Sequence, residues 1–306
     1  MQGFEIRVPA SSANLGPGFD CMAMALNLHT TVRLKPSAFL DISPRGKHLA
    51  SLPRDDTNLV YRTMAEVFAH FGKSMPHLSI EIESEIPLAR GLGSSSAATV
   101  AALLGANALL GSPLSTQDIL HWAAKIEGHP DNAAAALLGG IVVTAQDNGE
   151  CHALGFSPPK HLGILLVIPE HTLETNLSRT VLPATLTRQD AVFNLSHATL
   201  LAVALLQGRL DLVGKAMKDR LHQPQRAQLV PGLSEILAGA VEYGALGAAL
   251  SGAGPSMLCL YDKQTDALQN LEIGLRNILD DCRLQAKTVS CEIESQGAQV
   301  QDVHCN

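Results

Sequence analysis

The chain has 306 residues, of which 46% are apolar and 17% are charged. This composition is typical of a globular protein with a large core, and it excludes a disordered chain. The formal net charge of −7 argues against a nucleic-acid-binding protein, which needs a basic surface.

Targeting and redox features are also informative. The first twelve residues, MQGFEIRVPASS, lack the basic and apolar regions of a signal peptide. The apolar runs are too short and too rich in glycine to predict a membrane span. Six cysteines without CxxC spacing favour reduced thiols in a cytoplasmic protein.

The N-terminal half alternates between extended and helical patterns. Residues 4–8 predict an opening strand, and the Gly/Pro/Asn-rich segment PASSANLGPGFD at 9–20 predicts a loop. Ser115 and Asp118 form a capping pattern at the start of a helix that Gly128 can end. The other predicted elements are strands at TTVRL and LSIEIES, helices at 58–72, 94–110 and 115–128, and a turn, short helix and strand in HPDNAAAALLGGIVVTA.

A polar segment at 146–161 predicts a domain boundary, which divides the chain into domains of residues 1–155 and 156–306. Strands and helices follow one another without strict βαβ alternation. This favours an α+β fold over a doubly wound sheet. The elements predicted beyond the boundary are a buried strand at LGILLVIP, helices near 190–207, 209–220 and 232–243, a strand–loop–strand in GALGAALSGAGPSMLCLYD, and a last helix before the closing strands.

The segment IPLARGLGSSSAAT, at 86–99, has the features of an anion site. A Gly-x-Gly and three serines precede an alanine-rich run, which predicts a loop at a helix N-terminus. Free backbone N–H groups and the helix dipole can bind a phosphate there without the lysine of a P-loop. A serine hydroxyl can also bind Mg²⁺. The alternative is an ordinary serine-capped helix without a ligand.

Glu127 ends a predicted helix, where a carboxylate is disfavoured by about 0.3–1 kcal/mol. A bound Mg²⁺, which takes one or two carboxylates together with phosphate oxygens, would offset this cost. The alternative is a solvated glutamate on an exposed turn. The next polar residues are Asp131 and Asn132. Asp131 is interpreted either as a helix N-cap or, together with Asn132, as a contact to a substrate hydroxyl. His129 precedes a proline and is interpreted as structural.

Two glycine-rich segments have both a ligand-binding and a structural interpretation. Asn14 and Asp20 flank LGPGF and are either turn residues or ligand contacts. SGAGPS at 251–256 is either a second backbone anion site or a tight turn.

Thr175 and Arg179 are four residues apart and would share one helix face. Arg226 is a second arginine in the same half of the chain. A single arginine usually forms a surface ion pair. Two arginines in one pocket would instead indicate a substrate with a carboxylate.

In this order, PASSANLGPGFD, PLARGLGSSSA, EGHPDN, the Thr-x-x-x-Arg pair and SGAGPS resemble the motifs of the GHMP kinases, and more narrowly of their homoserine kinase branch. The resemblance covers almost the whole chain. It implies an N-terminal domain with a left-handed βαβ unit, a ferredoxin-like C-terminal domain and a nucleotide in the cleft between them. It also implies ATP-dependent phosphorylation of the hydroxyl of L-homoserine to O-phospho-L-homoserine, in threonine biosynthesis. A homodimer is a state that the sequence leaves open.

The resemblance further implies residue roles. Mg²⁺ would be held by Ser95 and Glu127. The residues implied for ATP are Asn58, Pro87, Leu88, Ala89, Arg90, Gly91, Leu92, Gly93, Ser94, Ser95, Ser96, Ala97, Gly252 and Gly254, with the adenine side near Asn58. Those implied for homoserine are Asn14, Asp20, Asn132, Arg179 and Arg226, with Asp20 at the amino group and the arginines at the carboxylate. The implied catalytic set is Asn132, Arg179, Thr175 and Asp131, with Asp131 in the position of a general base.

Two other functions are compatible with the same motifs. A GHMP kinase for another small alcohol, such as a mevalonate-like acid or a sugar, would not need Asp20, because such substrates have no ammonium group. A non-catalytic member would bind a ligand and regulate a partner. Ser96 stands where the family usually has alanine, which removes no implied polar contact.

Overall fold

The computed structural model describes residues 3–303. Its strands are Gly3–Asn14 (β1), Gly18–Pro36 (β2), Asp41–Arg45 (β3), Leu78–Ser84 (β4), Ile141–Asp147 (β5), Glu150–Phe156 (β6), Leu162–Pro169 (β7), Gly247–Leu250 (β8), Met257–Asp262 (β9), Ala286–Cys291 (β10) and Gln299–Val303 (β11). Its α-helices are Leu59–His70 (α1), Ser94–Leu109 (α2), Thr116–Glu127 (α3), Asp131–Leu138 (α4), Thr175–Thr180 (α5), Arg188–Gln207 (α6), Leu210–Ala216 (α7), Gln223–Arg226 (α8), Leu233–Gly239 (α9) and Ala267–Asp281 (α10).

The strands form two sheets. The first has the order β11-β1-β2-β4-β3, and β5 and β6 extend it from β2. β3 and β4 are parallel and are connected through α1, so they form a βαβ unit. The second sheet has the order β10-β7-β9-β8. Its elements follow the β-α-β-β-α-β pattern of a ferredoxin-like unit. The predicted α+β fold is therefore confirmed.

The first sheet is covered by α2 and α4, which pack against β1 and β2. The contact surface is built from small side chains: Ala10 and Ala13 in β1, Ala101 in α2 and Ala133 in α4 are at most 1% exposed. Small residues let the helix backbones approach the sheet closely. This close approach brings the N-terminal ends of α2 and α4 next to the end of β1.

The loop predicted at 9–20 is wrong. β1 continues to Asn14 and pairs with β2, which begins at Gly18, so only three residues form the turn. The register shifts at Pro9/Ala10 and again at Ala13/Asn14. A bulge is a position where a strand tolerates proline. The segment is rich in small residues because it lies under the helices, and not because it is a loop.

The predicted helix boundaries agree closely with the structure except in two helices, but the strands differ more. TTVRL is only part of β2, β3 was not predicted, and β6 lies inside the polar segment predicted at 146–161. Ser115 and Asp118 form the predicted capping box of α3, and Gly128 ends that helix in a left-handed conformation. The helix predicted at 209–220 ends at Ala216. The helix predicted at 232–243 ends at Gly239 and continues as a short 3₁₀ turn.

β6 belongs to the first sheet and β7 belongs to the second. The chain therefore passes from one sheet to the other close to the predicted division at residue 155. The last described strand does not follow that division. β11 pairs with residues Gly3 to Arg7 of β1 in the first sheet, although the predicted second domain includes it. The chain therefore returns to the first sheet at its end. The five cysteines among residues 3–303 are free thiols, and Cys305 lies outside the described residues.

Candidate active site

A cavity of about 380 Å³ lies where the ends of β1 and α2 meet α5 and α8. Side chains from both halves of the chain line it. Most of the residues implied for substrate, nucleotide and metal are found there. The lining includes Asn14, Asp20, Ala89, Arg90, Gly91, Gly93, Ser94, Ser95, Ser96, Glu127, Asp131, Asn132, Thr175, Arg179, Arg226 and Gly252.

Six residues implied for ATP do not line this cavity: Pro87, Leu88, Leu92, Ala97, Gly254 and Asn58. The Asn58 side chain is buried and caps α1. Its Oδ1 accepts from the Val60 backbone N–H at 2.9 Å, and its Nδ2 donates to the Pro53 carbonyl at 2.7 Å. The structure therefore gives Asn58 a helix-capping role, and its contact with adenine stays a prediction.

The N-terminus of α2 faces the cavity. Gly93 is its N-cap, with a left-handed φ of 69°, and no side chain caps this end. The first turn contains no acidic residue. The backbone N–H groups of this first turn therefore have no side-chain cap, and Ser94, Ser95 and Ser96 all line the cavity. Together with the helix dipole they form a place where phosphate oxygens can bind.

The two glycine-rich loops pack against each other. Ser251 Oγ donates to the Gly91 carbonyl at 2.7 Å, and the Ser256 N–H donates to the Arg90 carbonyl at 3.2 Å. Asn14 Nδ2 also donates to the Gly252 carbonyl at 3.0 Å. SGAGPS is therefore the point where the second sheet is joined to the serine loop.

Replacing Gly91 by alanine is expected to destabilise the protein by about 2–6 kcal/mol, because left-handed strain and overpacking each cost about 1–3 kcal/mol. Gly91 has a φ of +74°, and a Cβ there would lie 2.3 Å from the Ser251 carbonyl oxygen. Gly111→Ala is the matched control, since Gly111 has a φ of +86° with nothing within 4 Å. Urea unfolding followed by the single tryptophan measures both, and equal losses of stability would refute the packing argument.

The Glu127 carboxylate accepts hydrogen bonds from three hydroxyl groups. Ser95 Oγ is 2.9 Å from Oε1, Thr99 Oγ1 is 2.8 Å from Oε1, and Ser96 Oγ is 2.8 Å from Oε2. These bonds offset the cost of a carboxylate at the end of α3. Sequence reasoning missed Thr99, although its spacing of four residues from Ser95 on one helix was a usable signal.

Ser95 and Glu127 supply the oxygen ligands that Mg²⁺ prefers. Within residues 3–303, no group of three or more His, Cys, Asp or Glu side chains is placed to hold a metal ion. A Mg²⁺ held by Ser95 and Glu127 would therefore complete its coordination with phosphate oxygens and water, which is its usual mode in kinases. These residues fit the implied metal.

Asp20 and Arg179 form a two-bond ion pair on the wall of the same cavity. Arg179 Nη2 is 2.7 Å from Asp20 Oδ1, and Nη1 is 3.0 Å from Oδ2. The hydrogen bonds with Asp20 raise the pKa of Arg179. Both side chains remain about one-third exposed, so a ligand can reach them.

Arg226 lies beside this pair and is almost completely buried. Its Nη1 donates to the Gly252 carbonyl at 3.0 Å, and its Nε donates to the Ser178 carbonyl at 3.2 Å. Burial and the nearby Arg179 charge lower the pKa of Arg226 to about 10. A bound carboxylate would relieve the repulsion between the two guanidinium groups.

The backbone of the first turn is held in an unusual conformation. Asn14, Leu15 and Asp20 have positive φ angles of 73°, 50° and 56°. Asn14 Oδ1 accepts from the Asp20 N–H at 3.0 Å and so fixes the position of that carboxylate. Strained residues persist where the surrounding structure holds them, and they are enriched at functional sites. The Phe19 ring, which sequence reasoning missed, lies 5.5 Å from the Arg179 guanidinium and 5.3 Å from that of Arg226.

Asp131 and Asn132 lie at the start of α4. Pro130, and not Asp131, is the N-cap residue. Asp131 Oδ1 accepts from the Asn132 N–H and interacts with His129 Nδ1, both at 2.7 Å. Burial lowers the pKa of His129, but its hydrogen bond and charge contact with Asp131 outweigh burial, so the net pKa is raised. His129 lines the cavity, which its interpretation as structural did not anticipate.

Known proteins share both the sequence and the fold. The family model described as the GHMP kinases N terminal domain matches residues 58–140, and that described as GHMP kinases C terminal matches residues 201–272. The homoserine kinase of Deinococcus radiodurans is 48% identical over 97% of both chains. The homoserine kinase of Desulfitobacterium hafniense is 43% identical over 96% of this chain and 99% of its own.

Solved structures give the same result. A crystal structure of homoserine kinase from Cytophaga hutchinsonii has a TM-score of 0.86 and 28% identity over 98% of both chains. A mevalonate kinase at 17% identity shares the fold, with a TM-score of 0.69. The family-model matches, the near full-length relatives and the fold agree, and the chain belongs to the homoserine kinase family of the GHMP kinases.

Proposed function

We propose that this protein transfers the γ-phosphoryl group of ATP to the hydroxyl of L-homoserine and releases ADP and O-phospho-L-homoserine, a step in threonine biosynthesis. The observation that carries this proposal is the arrangement of Asp20, Arg179 and Arg226 in one cavity with the serine loop. One carboxylate and two guanidinium groups complement an amino-acid zwitterion, and an amide-lined helix N-terminus complements a phosphate.

The amino acid would exchange with an internal ion pair. In the free protein, Asp20 and Arg179 neutralise each other at 2.7 Å. The substrate ammonium would take the place of the Arg179 guanidinium at Asp20, while the substrate carboxylate would bind Arg179 and Arg226. Because both charges of the ligand are needed, a substrate with only one of them would leave an unpaired group in the site. This supports specificity for an amino acid over a hydroxy acid or a sugar.

The serine loop would hold the nucleotide phosphates through the backbone N–H groups at the start of α2. Mg²⁺ held by Ser95 and Glu127 would neutralise charge on the transferring phosphoryl group. Ser96 and Thr99 orient the Glu127 carboxylate. Thr175 and Arg179 project from α5 toward the same cavity and are proposed to approach the γ-phosphate.

Asn132 is proposed to orient the acceptor hydroxyl. Its Oδ1 already accepts from Ser11 Oγ at 2.8 Å, which leaves its amide N–H groups as donors. Asp131 is in the position of a general base, but its Oδ1 is shared between His129 and the Asn132 N–H. A loose transition state does not require early removal of the hydroxyl proton. Positioning and charge neutralisation are therefore proposed to supply most of the catalysis.

A substrate panel tests the proposal. ADP release from Mg-ATP is measured with L-homoserine, D-homoserine, L-threonine, L-serine, mevalonate and galactose. Turnover confined to L-homoserine is expected. Mevalonate and galactose lack the ammonium group, L-serine carries its hydroxyl one carbon closer to the zwitterion, L-threonine has a secondary hydroxyl, and D-homoserine has the opposite configuration. Turnover with mevalonate or galactose in place of L-homoserine would confirm a kinase but exclude L-homoserine as its substrate. ATP binding without turnover on any of them would favour the regulatory alternative.

A further inference from the structure

The segment HQPQR, which carries Arg226, also contains a histidine to which the proposed reaction gives no role. This residue, His222, is completely buried and lies four positions before Arg226, at the start of α8. Residues four apart share one face of a helix. The imidazole ring therefore lies against the guanidinium group that is proposed to bind the substrate carboxylate.

Both ring nitrogens of His222 are hydrogen-bonded. Arg226 Nη1 lies 3.2 Å from Nδ1, and because arginine can only donate, Nδ1 is the acceptor. Nε2 lies 2.8 Å from the Gly16 carbonyl oxygen, which can only accept, so Nε2 carries the proton. The two contacts together require the neutral ring. Burial, opposed by the charge of Asp219, also lowers the pKa of His222.

Arg226 is a buried cation whose charge the described residues leave without a direct counter-ion. Its described acceptors are His222 Nδ1 and the carbonyl groups of Ser178 and Gly252. A buried charge is normally paired with an opposite charge. A carboxylate in place of His222 would neutralise the guanidinium and compete with the substrate carboxylate. A neutral acceptor holds the guanidinium in place and leaves its charge available to the substrate.

The Nε2 contact connects the same ring to the turn that precedes Asp20. Gly16 in this turn has a φ of +95°, and a Cβ there would lie 2.1 Å from the Met217 carbonyl oxygen. The turn is therefore packed tightly against the end of α7. Asn14 Oδ1 accepts from the Asp20 N–H and so links that carboxylate to the same turn. His222 thus contacts both the arginine proposed for the substrate carboxylate and the turn that carries the proposed ammonium partner.

The ring of His222 is itself held on two sides. The Asp219 carboxylate, which is 0% exposed, accepts from the backbone N–H groups of Leu221 at 3.0 Å, His222 at 3.0 Å and Gln223 at 2.7 Å. The Phe19 ring lies 5.3 Å from the imidazole ring on the side of the two guanidinium groups. Groups that are held in place before binding lose less conformational entropy when a ligand binds.

We propose that His222 is a positioning residue for the amino-acid substrate, which holds Arg226 through its unprotonated Nδ1 and the turn at Gly16 through its Nε2–H. The inference rests on the proposed function, because it requires an amino-acid carboxylate at Arg226. His222 does not line the cavity, so it acts through these two neighbours and not by touching the substrate. Its loss should therefore weaken substrate binding more than it slows phosphoryl transfer.

Two substitutions distinguish the acceptor at Nδ1 from the rest of the ring. Leucine removes both hydrogen bonds, and His222→Leu is expected to raise the KM for L-homoserine by about a hundredfold. Asparagine can place its Oδ1 near the position of Nδ1, so His222→Asn should have a KM about tenfold below that of His222→Leu. In both variants kcat and the KM for ATP should stay within about threefold. Equal KM values for L-homoserine in the two variants would refute the acceptor role.

His29→Leu is the matched control for these variants. His29 is also a buried histidine whose Nδ1 accepts from an arginine, with Arg7 Nη2 at 2.9 Å, but it lies outside the active-site cavity. Its replacement should lower the free energy of unfolding and leave the KM for L-homoserine within about twofold. A comparable rise in that KM would mean that loss of a buried histidine acts through general damage, and the role of His222 would be rejected.

A double-mutant cycle tests whether His222 acts through Arg226. Arg226→Met removes the guanidinium group, so in this background His222→Leu and His222→Asn should have kcat/KM values for L-homoserine within about twofold of each other. A tenfold difference that persisted without the guanidinium would show that the asparagine oxygen acts on another group, and it would contradict the inference.

The nitrogen-15 spectrum of the free, histidine-labelled wild-type protein gives a readout that does not depend on turnover. The His222 signals, assigned by their loss from His222→Leu, are expected to show a proton on Nε2 and none on Nδ1 near neutral pH. The other tautomer, or the imidazolium form, in a protein that phosphorylates L-homoserine would overturn the inference alone. The expected tautomer in a protein that does not phosphorylate L-homoserine would reject the proposed function, and with it the substrate role of His222.

Discussion

Replacing Asp20 by asparagine is expected to lower kcat/KM for L-homoserine by about a hundredfold, since a lost charge-assisted bond of about 1.5–3 kcal/mol corresponds to one to two factors of ten. Asparagine keeps the size of the side chain and one acceptor oxygen but loses the negative charge. The substrate ammonium then lacks its partner, and Arg179 loses its partner in the free protein. The Asp20 carboxylate hydrogen-bonds to Arg179 and not to the serine loop, so the KM for ATP should stay within about threefold.

A substrate that lacks the ammonium group distinguishes loss of the Asp20 contact from general damage to the site. Wild-type protein should discriminate strongly between L-homoserine and 4-hydroxybutyrate, and Asp20→Asn should lose most of that discrimination. Asp211→Asn is the matched control, because Asp211 forms a comparable two-bond pair with Arg209 at 2.8 Å outside the cavity. If Asp20→Asn kept the wild-type preference for L-homoserine, Asp20 would not be the ammonium partner.

Replacing Glu127 by alanine is expected to reduce kcat by about a thousandfold, the scale of losing a group that stabilises charge on a transferring phosphoryl group. It should also raise the Mg²⁺ concentration required for half-maximal activity. Alanine removes the carboxylate to which Ser95, Ser96 and Thr99 donate. Steady-state rates over a Mg²⁺ series measure both effects, and equilibrium binding of Mg-ATP gives a readout that does not depend on turnover.

Asp131→Asn is expected to lose less activity than Glu127→Ala, because the proposed mechanism does not depend on a general base. Asparagine keeps an oxygen that can accept from the Asn132 N–H. Glu174→Ala is the control carboxylate, since Glu174 lies on the same cavity but makes no capping hydrogen bond at α5. An Asp131→Asn protein that folds and binds ATP but has no activity would identify Asp131 as the general base. It would contradict the expectation that Asp131→Asn loses less activity than Glu127→Ala.

Elements with strong local signals were predictable. The capping box of α3, the uniform apolar strand β7 and the strand–loop–strand around SGAGPS all have short-range causes: a side-chain cap, burial on both faces and a glycine turn. The segment at 9–20 was not predictable in the same way. Its glycine, proline and asparagine indicate a loop locally, but packing beneath α2 and α4 and pairing with β2 hold most of it as strand.

The roles of individual residues depended on which side chains lie next to them in the folded chain. The sequence placed Glu127 at an unfavourable helix end and correctly indicated that something must stabilise it. That stabilisation comes from Ser96 and Thr99 as well as Ser95, and these belong to another helix 28 to 32 residues away in the chain. His129 was judged from its neighbour Pro130, and only the folded chain puts its ring on the cavity wall.

The sequence by itself determined the fold class, the position of a helix N-terminus after the serine loop and the set of motifs, because backbone conformation and side-chain chemistry are local properties. The tertiary structure alone decided that Asp20 pairs with Arg179 across 159 positions and that Asn58 serves as a helix cap. It also decided that apolar side chains of α6 such as Leu195 are exposed among residues 3–303. Pairing and burial are set by which distant segments pack together, and a side chain's neighbours in space cannot be read from its neighbours in the chain.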